Sequence, residues 1–121
     1  MKGSVYNRMT SAEKEVANTL KELGIKWSFE KPVFIWDENS RPRVWEPDFY
    51  LIHFGIYVEV CGADKFDYEY RKSIFDKNGH LVIFLHIYKE KIKWKQHLLR
   101  YLYIFMKYRN YKLNKIFRKH Q

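Results

Sequence analysis

The chain has 121 residues, 46% hydrophobic and 19% aromatic, which suits one folded domain and excludes a disordered tail. Its 23 Lys and Arg against 14 Asp and Glu leave a net charge of +9, which favours a polyanionic partner, nucleic acid ahead of an acidic membrane surface. The single cysteine, Cys61, excludes an internal disulfide and fits a reducing cytoplasm, and no apolar run has the length of a signal peptide or a membrane span.

Residues 1–9 read as a loose basic lead-in. Thr10 with Glu13 three places on predicts a capping box, and Val16, Ala17, Leu20 and Leu23 continue with Glu13 as the inward stripe of a first helix. Gly24 is its expected C′ residue. Glu13 therefore has two readings, a cap or a carboxylate at the open end of the core. Residues 26–30 (KWSFE) alternate as a first strand, with residues 33–36 as its continuation past a bulge at Pro32. Residues 37–42 (DENSRP) form a turn, residues 43–52 the second strand and residues 56–61 the third.

The last two strands carry a carboxylate each. A turn centred between His53 and Phe54 places Asp48 opposite Glu59. Opposed residues share a face, with Cβ atoms about 4.5–5.5 Å apart. Two like charges that close repel unless a cation lies between them, and Mg²⁺ binds through one or two carboxylates. The alternative is two exposed strand carboxylates without a partner. A one-residue slip would separate them.

Residues 67–78 predict a second helix with Asp64 or Asp67 as N-cap and Gly79 beyond its end. Phe66, Tyr70, Ile74 and Phe75 form its apolar stripe, and Lys72 borders it. Residues 81–87 read as a strand buried on both faces and, after a helix, as parallel to its neighbour. From Glu90 onward the chain is helical, basic and aromatic. Leu98, Leu99, Leu102, Phe105 and Met106 form a stripe suited to the core, to a homodimer contact or to base stacking. Its Lys and Arg suit a DNA backbone, and a basic amphipathic helix on a membrane is the competing reading.

Pro47-Asp48 followed by Glu59-Val60-Cys61 resembles the PD-(D/E)xK nuclease superfamily, the restriction-endonuclease-like fold. Cys61 stands where that pattern has lysine. PDFYL, YVEVCG and YRKSIFDKNGHLVIF together resemble a narrower subgroup, in which the lysine has moved to the following helix. Lys72, Phe75 and Gly79 match that pattern, and Lys65 competes for the lysine role. The resemblance covers residues 10–84 and implies an αβββαβ core, about residues 10–88, with a central mixed sheet flanked by helices; the basic C-terminal helix, residues 90–121, lies outside it.

What the resemblance implies is a DNA endonuclease that hydrolyses phosphodiesters with Mg²⁺ or Mn²⁺, in repair, recombination or a mobile element. Asp48, Glu59, the Val60 carbonyl and Glu13 are the implied metal ligands. Lys72 is the implied contact to water and phosphate, with Glu30 and Glu46 as weaker candidates. Two readings compete: a decayed site on a DNA-binding subunit, and a basic interaction protein in which the carboxylates are incidental.

Overall fold

The computed structural model describes residues 4–62 and 67–120. After a 3-10 turn at Val5–Arg8 come α1 (Ser11–Glu22), β1 (Trp27–Phe29), β2 (Val33–Trp36), β3 (Pro42–Trp45), β4 (Phe49–Leu51) and β5 (Ile56–Val60). Then follow α2 (Tyr68–Lys77), β6 (Val82–Leu85) and α3 (Trp94–Lys119). The protein is mixed α/β, with a four-stranded mixed sheet ordered β1-β4-β5-β6 and a separate β2-β3 hairpin.

The first helix forms as its sequence dictates. Thr10 accepts from the Glu13 N–H at 3.2 Å, Glu13 accepts from the Thr10 N–H at 2.8 Å, and Gly24 follows the C-cap with φ of 71°. In α2 the N-cap is Asp67, which accepts from the Tyr70 N–H at 2.9 Å. Asp64 lies outside the described residues.

Pro47 changes the strand plan. The strand expected over residues 43–52 is two strands in two sheets, β3 and β4, joined through residues 46–48. Proline has no N–H for a ladder, so pairing stops on either side of it. Residues 33–36 likewise do not prolong β1. Glu30 turns the chain with φ of 55°, and β2 pairs with β3 instead, Val33 facing Trp45 and Trp36 facing Pro42. Asn78 fastens that hairpin to the end of α2, accepting from the Trp36 N–H at 2.8 Å and donating to its carbonyl at 2.9 Å.

Both faces of the four-stranded sheet are covered. Val16, Ala17 and Leu20 of α1 and Trp94, Leu98 and Leu102 of α3 pack with Phe49, Leu51, Ile56, Val58, Ile83 and Leu85. On the opposite face Ile74 and Phe75 of α2 and Val33 and Ile35 of β2 enclose Tyr57 and Val82. Full burial of each large apolar side chain contributes about 1.5–3 kcal/mol. β5 and β6 are parallel, as the intervening helix implied. α3 begins at Trp94, a turn later than the sequence suggested. Among the described residues no helix is long and apolar enough to cross a membrane.

Candidate active site

The β4–β5 register is the one the centred turn requires: Phe49 faces Val58, Tyr50 faces Tyr57 and Leu51 faces Ile56. The next step outward pairs Asp48 with Glu59. The regular ladder ends there, and side chains take it over. The Asp48 N–H donates to Glu59 Oε1 at 3.0 Å, and the Val60 N–H donates to Asp48 Oδ2 at 2.7 Å. Glu59 is 6% exposed and Asp48 is half-buried. Glu13 caps α1 by accepting from the Thr10 N–H, and its negative charge raises both Asp48 and Glu59.

The electrostatics follow from burying like charges together. Burial, then the negative charges of Glu59 and Glu13, push Asp48 up to about 8, against the Val60 hydrogen bond that favours its ionised form. Burial also raises Glu59, with Arg71 pulling the other way. Cys61 is fully buried, and burial with the nearby Glu59 and Asp48 charges pushes its thiol up to about 12. That shift favours the neutral thiol in the metal-free protein.

Among the described residues the cation paired with Glu59 is Arg71. Its Nε donates to Glu59 Oε2, and its guanidinium lies 4.5 Å from the Trp45 ring centroid and 5.3 Å from that of Phe75. The structure places Lys72 elsewhere: it is exposed and pairs with Asp76 at 3.0 Å, one turn along α2. Lys65 lies outside the described residues. The reason is helical phase. Arg71 precedes the buried Ile74 and Phe75 by three and four residues and so shares their face, whereas Lys72 precedes the exposed Asp76 by four. That spacing was readable in the sequence and identifies Arg71 as the inward cation.

Other candidates disperse. Glu30 pairs with Arg8 at 3.4 Å, although its N–H donates to the Asp48 carbonyl at 2.9 Å. Glu46 is exposed. A cavity of about 790 Å³ is lined by Lys89, Glu90, Lys91, Lys93, His97 and Arg100 among others, and by neither Asp48 nor Glu59.

Among the described residues no three His, Cys, Asp or Glu side chains close into a metal cage. Asp48 and Glu59, two carboxylates on facing strands, are oxygen donors of the kind a hard divalent ion takes. Comparison with family models, curated proteins and solved structures returned no match.

Proposed function

We propose that this chain is a Mg²⁺-dependent deoxyribonuclease with a restriction-endonuclease-like core. The observation that carries the reading is the meeting of Asp48 and Glu59 at the open end of β4–β5, with Glu13 beside them and Asp48 pushed up to about 8. Arg71 partners Glu59 alone, and a divalent cation would let Asp48 ionise beside it. The order α1, strands, α2, β6 and the parallel β5–β6 pair agree with the family core.

Asp48 and Glu59 would hold the ion, with Glu13 and the Val60 carbonyl as further oxygens. A bound Mg²⁺ supplies Lewis-acid polarisation and neutralises charge at the phosphate. The chain's own residues do the remainder. The Val60 N–H and the Asp48 N–H fix the two carboxylates in orientation. Arg71, held flat by Trp45 and Phe75, offers a fork-shaped donor to a phosphate oxygen when it leaves Glu59. With Asp48 deprotonated, either carboxylate can take a proton from an attacking water.

The second reading is a DNA-binding subunit with a decayed site. It is favoured by Cys61 at the usual lysine position and by Arg71, which already satisfies Glu59 without a metal. Nicking of supercoiled plasmid in Mg²⁺ and in EDTA separates the two. The nuclease reading expects nicking in Mg²⁺ alone, lost in Asp48→Asn and Glu59→Gln. Equal plasmid integrity in all samples, with DNA binding intact, supports the decayed site.

A further inference from the structure

α3 outlasts the core on which it packs. Its buried residues are Trp94, Leu98 and Leu102, and residues 110–120 are all exposed. At the point of departure Arg109 donates from both terminal nitrogens to the Phe54 and Gly55 carbonyls, the second at 2.6 Å. The helix is thereby pinned to the β4–β5 turn. Gly55 has φ of 63°, a left-handed backbone that favours glycine, and a Cβ there would lie 2.8 Å from Arg109 Nη1, so the guanidinium would have to shift. From Arg109 to Lys119 the free stretch extends about 15 Å at about 1.5 Å per residue.

Its chemistry is one-sided. The 26 residues of α3 include no Asp or Glu, and among the described residues none of its cations has a carboxylate ion-pair partner. Lys107 lies over the Tyr103 ring at 5.5 Å, Lys112 over Tyr108 at 5.1 Å and Lys115 over Tyr111 at 5.4 Å. Each pair is one helical turn apart, so cations and exposed rings alternate along the rod.

We propose that the free half of α3 is a nucleic-acid arm, its Lys and Arg on backbone phosphates and its Tyr rings against bases or sugars. Positive charge without internal neutralisation is the complement of a polyphosphate chain. A second copy is the weaker occupant. Leu113, Ile116 and Phe117, exposed at 62%, 55% and 64%, continue the face of Leu98 and Leu102, yet pairing along them would set two unneutralised cation rows together.

The inference rests on the nuclease reading for the class of partner and adds where that partner is held. Asp48 and Glu59 lie at one end of β4–β5, and the turn gripped by Arg109 lies at the other. Three residues of strand separate Ile56 from Glu59, about 10 Å. The arm therefore grips a tract remote from the bond to be cut, and binding separates from catalysis.

The test uses the full chain with Lys107, Lys112, Lys115 and Arg118 all changed to Gln. The probes are a labelled duplex of about 20 pairs and a single strand of matching length, titrated over a range of NaCl in EDTA so that cleavage plays no part; at about 3.4 Å per pair the duplex exceeds the span of arm and site. The expected result is at least about tenfold weaker binding, and for duplex a salt slope shallower by about 2–4 at about 0.9 per phosphate lost. Binding read in EDTA requires no cleavage, so a failed nuclease reading leaves this result standing. Unchanged affinity and slope for both probes overturn the proposal. So does loss of binding to phosphatidylglycerol vesicles with DNA binding intact, which makes the arm a membrane contact. A parent dimer that Leu113→Ser with Phe117→Ser turns into monomer, with DNA binding intact, overturns it in favour of self-association. All four charged positions are exposed. Should the fourfold variant misfold by circular dichroism, Lys115→Glu with Arg118→Glu gives the same reading from the tip.

Discussion

Asp48→Asn should stabilise the metal-free protein at alkaline pH and flatten its pH dependence. Asp48 is raised from its ordinary 3.8 to about 8. Between those values the folded state keeps a proton that the unfolded chain has released, so stability falls as pH rises through the window. The full effect has a ceiling of about 6 kcal/mol, at about 1.4 kcal/mol per pH unit. The half-buried carboxylate is partly solvated, and screening reduces the expected effect to about 2–3 kcal/mol. Asn carries no charge, yet its amide oxygen can still accept from the Val60 N–H. Urea unfolding in EDTA at unit steps from about pH 5 to 8 reads the difference as a midpoint gap of about 1–2 M, widening with pH. A residual slope of the same sign should persist in the variant, because Glu59 is also raised. Added Mg²⁺ should flatten the parent's curve and leave the variant's unchanged, with about 2.7 kcal/mol gained at a hundredfold excess over Kd. Parallel curves for parent and variant would refute the account of buried like charges at Asp48.

Other expectations follow from single contacts. Lys72→Ala should keep plasmid nicking within about twofold and stability within about 0.5 kcal/mol, since its partner is an exposed i,i+4 aspartate; a loss of activity comparable to Glu59→Gln would restore Lys72 to the site. Gly55→Ala should cost about 1–2 kcal/mol in chemical denaturation through its left-handed backbone and the displaced Arg109, and amide exchange in α3 beyond residue 105 should quicken; unchanged exchange would mean the clamp does not hold the helix.

The hairpin was legible because it obeys a short-range rule. Once the turn is centred on residues 53 and 54, period-two alternation fixes which residues face each other. The α1 cap and the parallel β5–β6 pair follow from equally simple rules. The β2–β3 hairpin was not legible, because Glu30 adopts a left-handed conformation that residue type does not announce. Nor was the end of the core along α3. Leu113, Ile116 and Phe117 continue the stripe of Leu98 and Leu102 in helical phase, and only the sheet's finite length leaves them in solvent. Arg71 holds Glu59 while Lys72 pairs with Asp76, because the phase set by Ile74 and Phe75 turns residue 71 inward and residue 72 to solvent.

Arg71 gives the sharpest remaining test, because it holds two roles that respond differently to its removal. It neutralises a carboxylate that is 6% exposed, and in the nuclease reading it would contact a phosphate. Breaking a buried pair typically costs about 3–5 kcal/mol, but Glu59 can take up a proton instead. Without Arg71 the Glu59 pKa rises further, so the folded variant holds a proton that the unfolded chain releases, and the destabilisation grows with pH. We expect Arg71→Ala to lose about 2 kcal/mol near pH 8 and less than about 1 kcal/mol near pH 5, read by urea unfolding. Arg71→Lys should lie between parent and Ala, because a compact ammonium keeps the charge but not the flat packing on Trp45 and Phe75. Metal binding should move oppositely to stability. Arg71 competes with Mg²⁺ for Glu59, so calorimetric titration of Arg71→Ala should show Kd lower by about fivefold, while nicking slows by at least about tenfold for want of the phosphate contact. Tighter metal binding with native nicking would make Arg71 a counter-ion alone. Weaker metal binding would mean that Arg71 orients Glu59 for the ion and does not compete with it.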